Sequence, residues 1–346
     1  PPDTDAYDPT VYAQAERNLE ALKRSAPLLL EDEPALYFYR LRMGHHEQTG
    51  LAAAYSVDEY DRDLIKKHER TRRDKEDDRT RHITRTRAQT GIVFLTYKAS
   101  PDVNAIAARV CASKPLYDFV ADDGISHTVW KVTGGDMKAL VDAFAKIPAL
   151  YIADGHHRAA SAARVRQEVR GADSFLAVAF PDEQMQILPY NRVVKDLAGE
   201  TAESFLQRVK QTVTVRDGRP VPPRAGLVEM YLAGKWHELD LSSVRPSDAS
   251  ERASTLDVSV LQQAVIAPLL KIGDVRTDKR IDFVGGARGT TALEALVNSG
   301  KAAVAFSMHP VTVADLIAIA DAGGIMPPKS TWFEPKLRDG LIVNLL

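Results

Sequence analysis

The chain has 346 residues, 45% of them hydrophobic, and 45 Lys and Arg against 47 Asp and Glu leave a net charge of −2. That length suggests two domains or one large one, and the balanced charge excludes the global basic field of a typical nucleic-acid binder. A lone cysteine, Cys111, excludes an intramolecular disulfide, and no apolar run approaches the ~18 residues of a membrane span. A cytoplasmic protein without membrane or nucleic-acid partners is the expectation.

Residues 10–25 repeat Val11, Ala15, Leu19 and Leu22 at helical spacing, and Pro27 should stop that helix. Residues 35–43 (ALYFYRLRM) predict a strand, 44–47 a turn, and 48–51 the start of a second strand, together a hairpin. Ser56 and Glu59 form a capping box for a helix over 57–68. Residues 61–90 then hold eleven Lys or Arg and seven Asp or Glu with almost no apolar stripe, the pattern of a solvated, salt-bridged helix. Lys75, Arg79 and His82 recur at helical spacing there as one possible cationic face. Strands are predicted over 91–97, 149–153 and 174–180, with helices over 101–112, 136–147 and 156–169.

From residue 196 the texture changes. A helix over 202–213, a Pro-rich loop over 217–224, a hairpin over 227–240 and a helix over 257–270 follow. Strand 281–284, a helix capped by Thr291 and Glu294, strand 302–306 and a helix opened by Thr312 and Asp315 then alternate as an α/β layer does. Gly285-Gly286-Ala287-Arg288-Gly289-Thr290 is a second possible anion nest.

The segment 149–169 carries the strongest chemical signal. An apolar strand meets Asp154-Gly155, a tight turn that uses glycine's freedom at positive φ. The helix behind it is rich in alanine and can pack close to a sheet. A helix N-terminus offers free N–H groups and a partial positive charge, and so receives anions. His156, His157 and Arg158 sit in that first turn, where cations oppose the dipole by ~0.3–1 kcal/mol each. An anion, such as a nucleotide phosphate, would offset that. Gly155, His156, His157 and Arg158 are therefore the phosphate candidates, with Lys75 and Arg79 as further cations.

Residues 321–336 (DAGGIMPPKSTWFEPK) form a loop dense in Gly and Pro. Such loops often carry function. Lys329, Ser330 and Glu334 are candidates there for phosphate, substrate or metal contact, and Trp332 and Phe333 for closing over a base.

The 151–158 turn resembles the phosphate turn of the ParB/sulfiredoxin superfamily. A closer resemblance, over nearly the whole chain, is to the family called domain of unknown function 1015. Ile65-Lys-Lys-His-Glu-Arg-Thr71, Lys75-Glu-Asp-Asp-Arg79, Phe94-Leu-Thr-Tyr97, Leu188-Pro-Tyr-Asn-Arg192, Asp274-Val-Arg-Thr-Asp-Lys-Arg280 and Met326-Pro-Pro-Lys-Ser-Thr-Trp-Phe-Glu-Pro335 carry it. Within the superfamily the free-serine kinases are similar at two places: a His-Glu element, matched by His68-Glu69, and a His-rich phosphate turn, matched by Asp154 to Arg158. The resemblance implies Glu69 as catalytic base, with His68 and Asp154 beside it, and Arg192, Lys329, Ser330 and Glu334 as substrate-binding candidates. The long charged insert between the two elements departs from those kinases.

The expected fold is α/β (mixed α+β), with a ParB/sulfiredoxin-like nucleotide-binding part over 1–195 and a C-terminal α/β part over 196–346 that completes a cleft. The expected function is transfer of a phosphoryl group from ATP or ADP, with Mg²⁺ inferred from the reaction class, to a hydroxyl such as that of free L-serine. Two alternatives are a metal-dependent phosphohydrolase on His156 and His157 and a ParB-like nucleotide-dependent DNA-binding protein. Adjacent histidines on a helix point ~100° apart, which disfavours a shared metal.

Overall fold

The computed structural model describes residues 4–26, 28–247 and 251–346. They form two compact units, one of residues 1–185 with 335–346, the other of residues 186–334.

The first unit opens with helix α1 (Pro9–Ser25), capped by the Asp8 side chain on Thr10 N–H. Pro27, expected to stop it, lies outside the described residues. Strands β1 (Tyr37–Met43) and β2 (His46–Ser56) form a hairpin that turns at Gly44, φ 60°. Short helix α2 (Val57–Asp61), strand β3 (Ile65–Lys66), helix α3 (Arg73–Thr86) and strands β4 (Ala88–Gln89) and β5 (Val93–Tyr97) follow. Then come α4 (Pro101–Val110), β6 (Tyr117–Val120), β7 (Ser126–Lys131), α5 (Gly135–Phe144), β8 (Leu150–Asp154), α6 (His156–Glu168) and β9 (Ser174–Pro181). Eight of these strands make one mixed sheet in the order β3-β8-β5-β9-β2-β1-β7-β6. Its main core gathers Leu95, Ile152 and Ala177 from the strands with Val103 and Ile106 of α4, Leu140 of α5, and Ala159 and Ala162 of α6. Alanines there let α6 sit close to the sheet, so the turn before it is held by packed structure on both sides.

The N-cap at Ser56 holds, with Ser56 Oγ accepting from Glu59 N–H, but the helix does not run to residue 68. It ends at Asp61. Asp63 takes a left-handed φ of 59° and Leu64 N–H returns to Glu59 O, which closes the helix end. Ile65 is then fully buried and pairs in parallel with Leu150. Burying Ile65 at the sheet edge outweighs two further turns of a polar helix. Glu69 consequently lies in the loop after β3, not at a helix end.

The charged segment forms α3, which contacts both α1 and α6 instead of standing free in solvent. Ile83 packs with Val165 of α6 and Val169 just after it, and Arg164 pairs with Glu76 and Asp77 at 3.3 and 2.5 Å. Tyr12 of α1 donates to Asp78 at 2.9 Å. Its few apolar residues suffice because ion pairs complete the interface.

The second unit contains β10 (Ile187–Leu188), β11 (Tyr190–Val194), α7 (Ala202–Thr212), β12 (Thr214–Asp217), β13 (Leu227–Leu232) and β14 (Lys235–Asp240). Helix α8 (Asp257–Leu261) passes through a π-helical turn, Gln262–Ile266, into α9 (Ala267–Leu270). The extra residue precedes Pro268, which has no N–H for a regular helix bond. Then come β15 (Ile281–Gly285), α10 (Thr291–Asn298), β16 (Val304–Ser307), α11 (Val313–Asp321) and β17 (Trp332–Phe333). Six strands form a sheet in the order β12-β14-β13-β16-β11-β15, every pair antiparallel. The alternation β15-α10-β16 does not make adjacent parallel strands, because β11 lies between them and pairs with both. Thus β11, which precedes the expected boundary at residue 195, is a central strand of this second sheet. Thr312 and Asp315 form the expected capping box, whereas Thr291 does not cap α10: its N-cap is Thr290, and Glu294 accepts instead from the Trp236 indole at 2.7 Å. The chain then returns to the first unit, where β18 (Asn344–Leu345) pairs with β4.

Candidate active site

The turn from β8 into α6 is built as the sequence predicts. Gly155 is the N-cap of α6 at φ 98°, where a side chain would be strained, and as a glycine it puts no capping side chain on the first-turn amides. A Cβ at Gly155 would lie 2.9 Å from Nε of Arg158, whose guanidinium folds back over the turn. Arg158 donates to Ile92 O and stands 3.7 Å from Asp154 and 3.8 Å from Asp339. A cation, free amides and the positive end of α6 thus converge on one turn.

The loop after β3 meets this turn. Nε2 of His156 accepts from His68 N–H at 3.4 Å, which leaves the proton on Nδ1, and Nδ1 stands 3.7 Å from Oε2 of Glu69. The His68 and His156 rings contact edge to face with centroids 4.4 Å apart. Both are buried, at 2% and 4% exposure. Burial pushes His68 down to about 4, and burial first, then neighbouring His68, holds His156 well below its ordinary value. Both rings are therefore neutral, and the dipole penalty foreseen for cations at this helix start does not fall on His156. Nδ1 of His68 is buried without a hydrogen-bond partner among the described residues. Glu69 itself is half exposed, at 54%.

His157 faces another way: its Nε2 accepts from Arg72 N–H at 3.0 Å. Since each ring addresses a different backbone group, His156 and His157 do not share a ligand. No group of three or more His, Cys, Asp or Glu among the described residues is arranged to hold a metal. Arg79 lies near His157 and, after burial, lowers its pKa. Lys75 is turned elsewhere, its ammonium 2.9 Å from the Tyr7 hydroxyl, and His82 borders Ala15, Asn18 and Leu19 of α1. The predicted cationic face of Lys75, Arg79 and His82 is thus split, because α3 is sandwiched between α1 and α6 and its successive residues face different helices.

Lys336 is a residue the sequence reading passed over. It donates to Asp154 Oδ2 at 2.9 Å. Burial alone would raise the Asp154 carboxyl, but Lys336 and then Arg158 outweigh it and hold it below the usual carboxylate value. The 335–346 segment is fixed in the first unit by Arg338, which pairs with Asp123 and contacts His127 at 3.4 Å, and by Asp339, which accepts from Ile92 N–H at 3.3 Å. The signal available in the sequence was the Pro335-Lys336 end of the Gly- and Pro-rich loop.

The other candidates lie in the second unit. Arg192 is 4% exposed and donates to the carbonyls of Tyr190 and Lys329, the latter at 3.2 Å; burial pulls its guanidinium down to about 10. Ser330 is buried and donates to Pro327 O at 2.6 Å, and Glu334 accepts from the Trp332 indole at 2.8 Å. Gly285 and Gly286, read as an anion nest, have a packing role: a Cβ at Gly285 would lie 2.7 Å from the Trp332 ring and one at Gly286 2.7 Å from Pro189. Trp332 accordingly lies against the Gly285 backbone and edge-on to Tyr190 at 5.0 Å.

Among the described residues no helix is long and apolar enough to cross a membrane. No curated protein matches the sequence. Solved structures similar to this one include SbnI with a C-terminal truncation from Staphylococcus aureus, 12% identical with a TM-score of 0.45, covering 83% of this chain and 84% of that one. A free serine kinase variant in complex with AMP is 12% identical with a TM-score of 0.41, covering 89% and 90%. A conserved hypothetical protein from Pyrococcus furiosus is 16% identical with a TM-score of 0.39, covering 83% and 93%. The family model described as "Protein of unknown function (DUF1015)" matches residues 1–259, most of the chain, and the chain belongs to that family.

Proposed function

We propose that the first unit binds a nucleotide at the 155–158 turn and transfers a phosphoryl group to the hydroxyl of a small molecule. The observation that carries this is the meeting of Glu69 with the start of α6 through His156, at 3.7 Å. A phosphate cradle alone binds; a cradle beside an accessible carboxylate can also deprotonate an acceptor. In this reading the turn amides and Arg158 hold the phosphates, and Glu69 takes the proton from the acceptor hydroxyl as its oxygen attacks phosphorus. The bond from phosphorus to the departing nucleotide oxygen breaks, and ATP leaves as ADP, or ADP as AMP. His156, kept neutral by burial, orients Glu69 without forming an ion pair that would weaken it as a base. Mg²⁺, which neutralises phosphate charge when it binds with the nucleotide, needs only one or two protein carboxylates, and Asp154 is the one at the turn. Free L-serine is the leading acceptor, by the resemblance of His68-Glu69 and the 154–158 turn to the serine kinases.

Phosphorus NMR of the purified chain with ATP, ADP or pyrophosphate against a panel of amino acids and sugars tests the proposal. A new phosphomonoester with L-serine is expected. Nucleotide binding without transfer to any hydroxyl compound would reduce the site to a sensor, and no nucleotide binding would overturn the proposal.

A further inference from the structure

Burial sets Arg192 apart from the other arginines of the second unit, of which Arg219, Arg224 and Arg288 are exposed. Arg208, Arg216, Arg245, Arg252, Arg276 and Arg280 each pair with a carboxylate, and all are at least 31% exposed in their side chains. Arg192, at 4%, is the buried one, and no carboxylate pairs with it among the described residues. Register explains the burial: β11 lies between β15 and β16, which sets Arg192 opposite Phe283 and Phe306. Its guanidinium stands 5.6 Å from the Phe283 ring centroid. The bonds it makes, to Tyr190 O and Lys329 O, are to neutral carbonyls.

A second cation is brought to Tyr190, whose carbonyl Arg192 binds. Lys329 is exposed, adopts a left-handed φ of 56°, and holds its ammonium 5.5 Å from the Tyr190 ring centroid. Glu334 accepts from the Trp332 indole and forms no ion pair with Arg192 or Lys329 among the described residues. Arg192 thus binds the Tyr190 carbonyl and Lys329 lies over the Tyr190 ring, neither with an ion pair among the described residues, and Arg192 is desolvated. A desolvated charge is costly without a counter-charge, and a planar guanidinium beside an ammonium matches an oxyanion.

We infer that Arg192 and Lys329 form an anion site in the second unit that takes the phosphate or carboxylate group of a small molecule, entering past Lys329. The second unit alone carries this, independently of the phosphotransferase function proposed for the first.

Calorimetric titration of the full chain with pyrophosphate and, separately, with malonate tests it, using Lys329→Gln, Arg192→Lys and Arg158→Ala. The expected result is a binding event that weakens at least tenfold in Lys329→Gln and Arg192→Lys but persists in Arg158→Ala. Dependence with pyrophosphate alone assigns a phosphate, and with malonate alone a carboxylate. Lys329 is exposed, so Lys329→Gln should keep the wild-type melting temperature and decides the matter even if Arg192→Lys fails to fold. Unchanged affinity of Lys329→Gln for both anions, or no binding of either by the wild type, would overturn the inference and leave Arg192 a clamp on the loop. Loss of pyrophosphate binding in Arg158→Ala alone would support the turn of the first unit and reject the second site.

Discussion

Oε2 of Glu69 stands 3.7 Å from Nδ1 of His156, the first residue of α6, although one belongs to the loop after β3 and the other follows β8. The link is made by the sheet. β3 pairs in parallel with β8, so the segments leaving the two strands emerge on the same side. His68 N–H then fixes the His156 ring, and the ring's other nitrogen, Nδ1, is the atom that stands 3.7 Å from Glu69.

Glu69→Gln should keep nucleotide affinity, since size and shape are retained, and lower turnover by roughly 10²–10⁴-fold, the usual contribution of a general base. Steady-state kinetics beside calorimetry check this. Wild-type turnover in the glutamine variant would move the base elsewhere, with Asp154 next at the turn.

Arg158→Ala should weaken nucleotide binding more than tenfold, because a charge-assisted contact to phosphate is lost. Gly155→Ala should act differently: it forces a side chain to φ 98° and towards Nε of Arg158 at 2.9 Å. A stability loss of roughly 1–3 kcal/mol is expected from the backbone alone. Denaturant unfolding separates the two, since Arg158→Ala should leave most of the stability intact.

Lys336→Met removes the ammonium 2.9 Å from Asp154 while keeping the length of the side chain. If Lys336 neutralises charge at the phosphate turn, affinity for the nucleotide should fall several-fold with the melting temperature nearly unchanged. A wild-type dissociation constant would confine Lys336 to holding the 335–346 segment in place.

Stability should depend on pH through the buried histidines. His68 binds its proton at about 4 in the folded chain against 6.5 when unperturbed, with burial as the first cause. Between those values the unfolded chain is protonated and the folded chain is not, so this stability is fully present above about pH 6.5. It is lost as pH falls towards 4, to a limit on the order of 3 kcal/mol from His68 alone. His156 acts in the same direction. The melting temperature should therefore drop between pH 6.5 and 5, before most carboxylates titrate, and His68→Gln should flatten that slope. An unchanged slope would mean that His68 is protonated in the folded state.

The strand–Gly155–helix unit was legible from the sequence, since an apolar run, a turn dipeptide and an alanine-rich helix are local signals read at short range. So were α1, the β1–β2 hairpin and the capping box at Thr312. The end of α2 was not, because the burial of Ile65 against Leu150 is decided by a strand far away in the chain. Nor was the division of α3 between α1 and α6, which turns Lys75 and His82 from the phosphate turn. Sequence alone named Glu69, Asp154 and Arg158 as candidate residues by their type and motif. Only the tertiary structure decided that His156 stays neutral and lies beside Glu69, that Lys336 returns to Asp154, and that Arg192 is buried with no carboxylate paired to it among the described residues. Each of these rests on strand pairing or packing between distant segments, and desolvation and counter-charge are properties of that packing, which no local pattern of residues encodes.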